Sequence, residues 1–273
     1  MKKTFKHLKC HPKYSKYKSC INDQTVFKMR DVWNARHPDK KIKTKKRNQI
    51  EEQLKSYLSI CNDQQCLLSN TIGKPLKIFA PKSPKSWNKN KSEWLDSLDI
   101  MRVMKQYEET YPNFKFLGPS PIDFDTKKQS TCVWPEICNL NIKSQLDKKH
   151  NKIGLIFNLD PHYKEGSHWT CMFIDLQNKY ILYFDSSGES TPNEIKSFTE
   201  RIQKQCEELN MKMKIYNNEN HRHQYTDGEC GMYSLYTIIK LLENKHTVNY
   251  FLKHKITDSK VNQYRSIFFN SDE

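Results

Sequence analysis

Residues 168–187 read HWTCMFIDLQNKYILYFDSS. Two apolar runs stand here, HWTCMFIDL (168–176) and YILYFDSS (180–187), with only QNK between them. Runs of this length bounded by turn residues predict strands, and so short a joint predicts antiparallel neighbours. Such a pair sets its far ends side by side, and those ends carry His168 and Asp185. An aspartate there can accept the imidazole Nδ1–H bond and fix the ring's tautomer and orientation.

Working outward, IGLIFNLD (153–160) predicts a third strand and MKIYNNE (213–219) another. SEWLDSLDIMRVMKQYEETYP (92–112) predicts a capped helix with Ile100, Val103, Met104 and Tyr107 on one side and Pro112 at its end. PNEIKSFTERIQKQCEELN (192–210) reads as a helix with proline near its start, and CGMYSLYTIIKLLEN (230–244) as a buried one. A central sheet with segregated helices is an α+β fold. No internal repeat is visible.

The buried helix is preceded by HRHQYTDGECGMYS (221–234), where two of the chain's 7 glycines flank Cys230. A nucleophilic cysteine works as the thiolate, and a helix N-terminus and a nearby imidazolium both favour that form. Cys230 stands where the helix begins, which supplies the first; His168, with its partnered acid, supplies the second. Gly231 is expected to leave room for a substrate backbone. Gln224 can donate its side-chain amide, with the Cys230 backbone N–H, to a developing oxyanion. His221 and His223 read as polar loop residues. Asp227 and Glu229 read as turn residues, with Glu229 also able to orient a neighbouring amide.

The order His168, Asp185, Gln224, Cys230, with GSHW (166–169), YFDSS (183–187) and QYTDGECGMYS (224–234) as local signatures, resembles the SUMO-type ubiquitin-like-modifier proteases and their adenovirus protease relatives. WLDSLDI (94–100) is similar to the opening of that domain, and the resemblance covers roughly 90–269. A basic N-terminal arm, GPSPIDF (118–124) and WPEIC (134–138) look most like the polyprotein-processing proteases of large cytoplasmic DNA viruses, the asfivirus type. Glu229 stands where the cellular enzymes commonly carry aspartate. The resemblance implies an adenain-like core whose nucleophile sits at a helix N-terminus. It also implies that Trp94 and Trp169 cover a tunnel admitting only a Gly-Gly backbone, since two indoles leave no room for a Cβ.

The totals set the frame. The net charge of +15 is uneven: residues 1–75 hold 18 Lys+Arg against 6 Asp+Glu. That segment shows helical spacing at Met29, Val32 and Trp33, and again at Ile50, Leu54, Tyr57 and Leu58. KKIKTKKR (40–47) between them reads as a solvated connector or the start of the second helix. The expected layout is a basic helical arm (1–75), a proline-bearing linker (76–91) and a protease core (92–273). No apolar run approaches the ~20 residues of a membrane span, and the basic start lacks the apolar stretch of a secretory signal. The chain's 9 cysteines, an odd number, suggest free thiols in a reducing compartment. Cys10, Cys20, Cys61 and Cys66 are spaced unlike zinc ligands, and a redox pair or packed thiols are expected instead. No metal or cofactor is expected.

The function expected is a thiol endopeptidase cutting after Gly-Gly in viral structural polyproteins, working at cytoplasmic assembly sites and in the virion. Its partners would be a polyprotein or ubiquitin-like substrate bearing Gly-Gly, with DNA or another acidic surface on the arm. The same chemistry serves an isopeptidase that removes ubiquitin-like modifiers. A basic nucleic-acid-binding virion protein on a protease scaffold is the alternative from another class, and an intact Cys230, His168 and Asp185 argue against it.

Overall fold

A computed structural model describes residues 5–15, 19–73 and 77–271. The chain divides into two units: Met1–Lys82 with Phe268–Ser271, and Ser83–Ile267. The boundary after Lys82 falls inside the stretch read as a linker, 76–91, whose first residue lies with 74 and 75 outside the described residues. So do several lysines of the basic start. Phe268–Ser271, assigned to the core from sequence, belongs to the first unit. There the Asn270 side chain accepts from the Lys9 amide (2.6 Å) and donates to the carbonyls of Lys9 and Ala80.

Among the described residues, the first unit holds three α-helices. Asn22 caps α1 (Asp23–Arg36) by accepting from the Thr25 amide, and the helix buries Val26, Met29 and Trp33. α2 (Arg47–Tyr57) buries Ile50 and Leu54, and α3 (Gln64–Thr71) is capped by Asp63. Only Arg47, the last residue of the lysine-rich connector, enters α2, and the rest is not merely solvated. Asn34 bonds both the N–H and the C=O of Ile42, and Ile42 is buried with Trp33 in the unit's core. Disulfides join Cys10 to Cys20 and Cys61 to Cys66. A third joins Cys132 to Cys138 in the second unit, leaving Cys171, Cys206 and Cys230 free. The expectation of free thiols therefore holds for three cysteines and is corrected for six, among which Cys10, Cys20, Cys61 and Cys66 form pairs rather than packed thiols, and with it goes the cysteine argument for a reducing compartment. An odd count excludes only complete pairing.

The second unit opens with α4 (Ser97–Thr110), held at its start by a reciprocal capping box between Asp96 and Asp99. The edge strand β1 (Phe114–Pro121) follows, then the small hairpin β2 (Lys127–Lys128) and β3 (Thr131–Cys132). Two short helices, α5 (Pro135–Cys138) and α6 (Ile142–Asp147), lead into β4 (Lys152–Asn158), β5 (Trp169–Asp175) and β6 (Tyr180–Phe184). After α7 (Asn193–Glu208) and β7 (Lys214–Asn217) comes α8 (Cys230–Leu242). Three short helices close the chain: α9 (Val248–Lys253), α10 (Asp258–Asn262) and α11 (Arg265–Phe268).

The sheet order is β1-β4-β5-β6-β7, an antiparallel β4-β5-β6 ladder with a parallel strand on each edge. This is an α+β fold. Alternate residues of β4, β5 and β6 pack with Ile195, Phe198, Ile202 and Cys206 of α7 in one apolar cluster. α8 packs on β5, and the side chains of the helix are almost all buried. The sheet is thereby covered on both faces, which brings the head of α8 to the open ends of β5 and β6. Among the described residues, no helix is long and apolar enough to cross a membrane.

Candidate active site

β5 and β6 pair with Cys171 opposite Phe184. Continuing that register outward sets Asp185 opposite Thr170 and Ser187 opposite His168. His168 and Asp185 are then diagonal neighbours, within reach of long side chains. The His168 Nε2 meets Asp185 Oδ1 at 2.7 Å, and Ser187 Oγ lies 3.5 Å from the same nitrogen. The bond is on Nε2, not on the Nδ1 expected from sequence. Nε2 stands farther from the backbone, and the diagonal reach takes the longer arm of the ring. With Nε2 committed to Asp185, Nδ1 is the ring nitrogen left for Cys230, which also favours the charged form of the ring.

Asp185 is almost wholly buried and tightly held. Asn218, just past β7, accepts from the Asp185 amide (2.9 Å) and donates to its carbonyl (2.6 Å). Ser187 N–H donates to the carboxylate itself (2.8 Å). Burial works against a charged His168, but the bonds and charges of Asp185 and Cys230 outweigh it and raise the imidazole to about 10. The ring is therefore an imidazolium at neutral pH.

Cys230 is the first residue of α8, so its N–H lies among the donors that have no intrahelical acceptor. Gln224 is buried between two partners. Its Oε1 accepts from Ser186 Oγ (2.7 Å) and its Nε2 donates to Thr226 O (2.7 Å). One N–H of the amide remains available. The Ser186 carbonyl also takes the N–H groups of His223 and Gln224, so one residue next to Asp185 ties down the Gln224 segment.

The two tryptophans flank the segment leading into α8. Trp94 is 45% exposed, and its Cδ1 lies 3.2 Å from where a Cβ on Gly228 would stand. Trp169 is buried, donates from Nε1 to Leu95 O (2.9 Å), and its Cδ1 lies 3.3 Å from a Cβ position on Gly231. The space beside Gly231 is thus filled by Leu95 and Trp169, not kept for a substrate as the sequence reading expected. A close packing of the protein on itself needs glycine as much as a ligand does. Gly228 has φ +94°, and a Cβ there would meet the Ser92 carbonyl at 2.0 Å, so no other residue fits. Trp169 also lines a cleft of about 610 Å3 with Met101, Ser120, Trp134, Asn158 and Lys164.

Other neighbours differ from expectation. His223 does lie in the loop before α8, but it is fully buried. Its Nε2 bonds Phe251 O, its Nδ1 accepts from Ile256 N–H, and burial, with the charge of His221, lowers it to about 4. Glu229 is no turn residue: it is buried against Arg265 at 2.8 Å. Sequence reasoning missed Ser186, Asn218 and Arg265. The serine had a visible signal in YFDSS, whereas the other two carry none, since each partner lies more than thirty residues away.

Residues 121–273 match the Ulp1 protease family, C-terminal catalytic domain. A protein of Acanthamoeba polyphaga mimivirus bearing a thiol protease name is 30% identical over 78% of this chain and 68% of its own length. A protein of African swine fever virus named as a SUMO-1 cysteine protease is 32% identical, over 44% of each chain. In fold, the crystal structure of an African swine fever virus protease superposes with a TM-score of 0.68, covering 98% of this chain and 97% of that one at 21% identity.

Proposed function

The chain belongs to the Ulp1 protease family and is a cysteine protease, and from that premise we propose that it cuts polyproteins after Gly-Gly with Cys230, His168 and Asp185 as its triad. The observation that carries the triad is the His168 ring, bonded through Nε2 to buried Asp185 at 2.7 Å and held charged by both Asp185 and Cys230, which begins α8. Cys230 Sγ attacks the carbonyl carbon of the second glycine as the thiolate. The carbonyl oxygen becomes an oxyanion met by the Cys230 N–H and by the free N–H of Gln224, each donor contributing about 3 kcal/mol. His168 gives its proton to the leaving amine, a thioester forms, and water activated by the neutral ring releases the product acid. Asp185 holds the ring in line and favours its charged form.

The Gly-Gly preference is supported by the crowding around the nucleophile. The Trp94 and Trp169 rings lie 3.2 and 3.3 Å from where a Cβ on Gly228 and on Gly231 would stand, tighter than ordinary contact, so a chain laid between the indoles has little room for side chains. The cleft beside Trp169 can take the bulkier residues upstream. A polyprotein substrate, with work at assembly sites in the infected cytoplasm and in the particle, is supported by the viral origin of the relatives. A second reading, removal of ubiquitin-like modifiers, is favoured by the SUMO-1 protease name that one relative carries. The basic arm would hold DNA or another acidic surface in either case. Incubation with Gly-Gly-Xaa peptides alongside a folded ubiquitin-like protein ending in Gly-Gly plus an extension separates the readings. Comparable cutting of both supports the polyprotein reading. Cutting of the folded substrate alone replaces it with deconjugation, and cutting of neither removes the Gly-Gly assignment.

A further inference from the structure

Arg265, at the start of α11, reaches in among segments far from it in sequence. Its Nη1 donates to the Glu93 carbonyl at 2.8 Å, and its Nη2 donates to the Gly228 carbonyl at 3.1 Å and to Glu229 Oε2 at 2.8 Å. The guanidinium lies over the Trp87 ring, 4.5 Å from its centroid, and is 6% exposed. Glu229 is only 1% exposed. One buried ion pair therefore stitches the segment at Glu93 to residues 228–229. Trp94 follows the first segment directly, and Cys230 follows the second.

The location matters more than the pair itself. A buried ion pair is weak support for stability, because desolvating two charges costs about what their attraction returns. This pair, however, sets a distance. The two segments approach so closely that Gly228 has no room for a Cβ against Ser92 O, and the Trp94 ring lies just beyond. Arg265 presents its donors in a planar fork of fixed width, which lysine cannot copy. Resting on the proposed Gly-Gly reading, we propose that Arg265 is the positioning residue for specificity. It holds the Trp94 segment against the Cys230 segment and so sets the width of the slot through which a substrate backbone reaches the nucleophile. Arg265 touches no substrate in this arrangement and acts through Trp94 and the 228–230 backbone.

Two readouts test this in the full chain. The first is the ratio of kcat/KM for Gly-Gly-Xaa over Gly-Ala-Xaa peptides. Arg265→Met keeps the length and apolar body of the side chain but removes its donors, and should lower that ratio at least tenfold by letting alanine in. Arg265→Lys, with charge but no fork, should lie between Met and the parent. The second readout needs no cleavage: the rates at which slim iodoacetamide and a bulky N-cyclohexylmaleimide label Cys230, read by mass spectrometry on its peptide. The bulky reagent should gain severalfold on the slim one in Arg265→Met. If that variant does not fold, Glu229→Gln removes the charge from the other side of the stitch and should shift both ratios in the same direction. Folded variants with parental ratios in both readouts would overturn the proposal. If the parent fails to cut either peptide, the Gly-Gly reading falls, and the labelling ratio still decides whether Arg265 sets the slot.

Discussion

In the first unit, α1, α2 and α3 bury Val26, Met29, Trp33, Ile50, Leu54, Leu67 and Leu68, and two disulfides close short loops around them. In the second, β4, β5 and β6 run buried through nearly their whole length between α7 and α8, and the nearby disulfide lies out at the β3–α5 connection. A small helical unit has few apolar side chains to set against the entropy of ordering its loops, so crosslinks contribute a large share. A covered sheet buries more per residue and holds its ends rigidly. The difference teaches where chemistry can be sited: His168, Asp185 and Cys230 all stand at ends of elements locked in the second unit's core. The first unit carries 14 of the 15 net positive charges, with 20 Lys+Arg against 6 Asp+Glu, but none of these groups.

That division of labour can be broken by experiment, and the largest effect expected is from Cys230→Ala. Turnover should vanish, a drop of at least about 10⁴-fold in kcat, with circular dichroism unchanged. Iodoacetamide should label the parent first at Cys230. Burial pushes the Cys171 thiol up and raises Cys206 to about 11, which keeps both protonated and unreactive. Cleavage retained in the alanine variant would move the chemistry elsewhere in the chain.

Next in size is Asp185→Asn. The amide oxygen can still accept from Nε2–H, so activity should persist, lowered about tenfold to a hundredfold by loss of a charged hydrogen-bond partner. The pH profile should sharpen the point. His168 lies above its ordinary 6.5 at about 10, so the imidazolium and its pairing persist through neutrality. The stabilisation that this raised group confers is complete below 6.5 and disappears as pH rises through about 10. Peptide cleavage in the parent should fall along the same alkaline limb, and in Asp185→Asn the limb should move to lower pH. An unmoved limb would separate Asp185 from the charge state of the ring.

The smallest effect bears directly on how the two units hold together internally. Mild reduction with a dithiol should lower the protection of α1–α3 amides in hydrogen exchange by about 2 kcal/mol, leaving β4, β5 and α8 unchanged. Equal loss in both units, or none in the helices, would erase the contrast drawn between them.

Legibility followed the same divide. β5, β6, β7 and the long helices of the second unit lie within the stretches read from the sequence, and β4 begins one residue before its stretch, because a covered sheet demands continuous apolar residues and leaves a plain pattern. The antiparallel joint at QNK was readable for the same reason. β1 escaped, since FKFLGPSP with its glycine and prolines reads as loop, and only pairing with β4 makes it a strand. α3 and α9 to α11 are too short for periodicity to show. In the site, His168, Asp185, Gln224 and Cys230 were visible through local signatures, whereas the ring nitrogen used by Asp185 was not. That choice depends on the diagonal between two strand ends.

By itself the sequence determined the α+β class, the antiparallel centre, the helix that begins at Cys230 and the residue types gathered at the strand ends. All of these rest on neighbours within a few turns or one hairpin, where spacing dictates direction. Only the tertiary structure decided that Asn218 grips Asp185 and that Ser186 fixes the Gln224 amide. It alone placed Arg265 between Glu93 and Gly228, and filled the space beside Gly231 with Leu95 and Trp169. Each of these is a contact between polar or small residues far apart in the chain. Such residues leave no periodic trace, and burial turns them into obligatory partners only once the sheet and helices have closed around them.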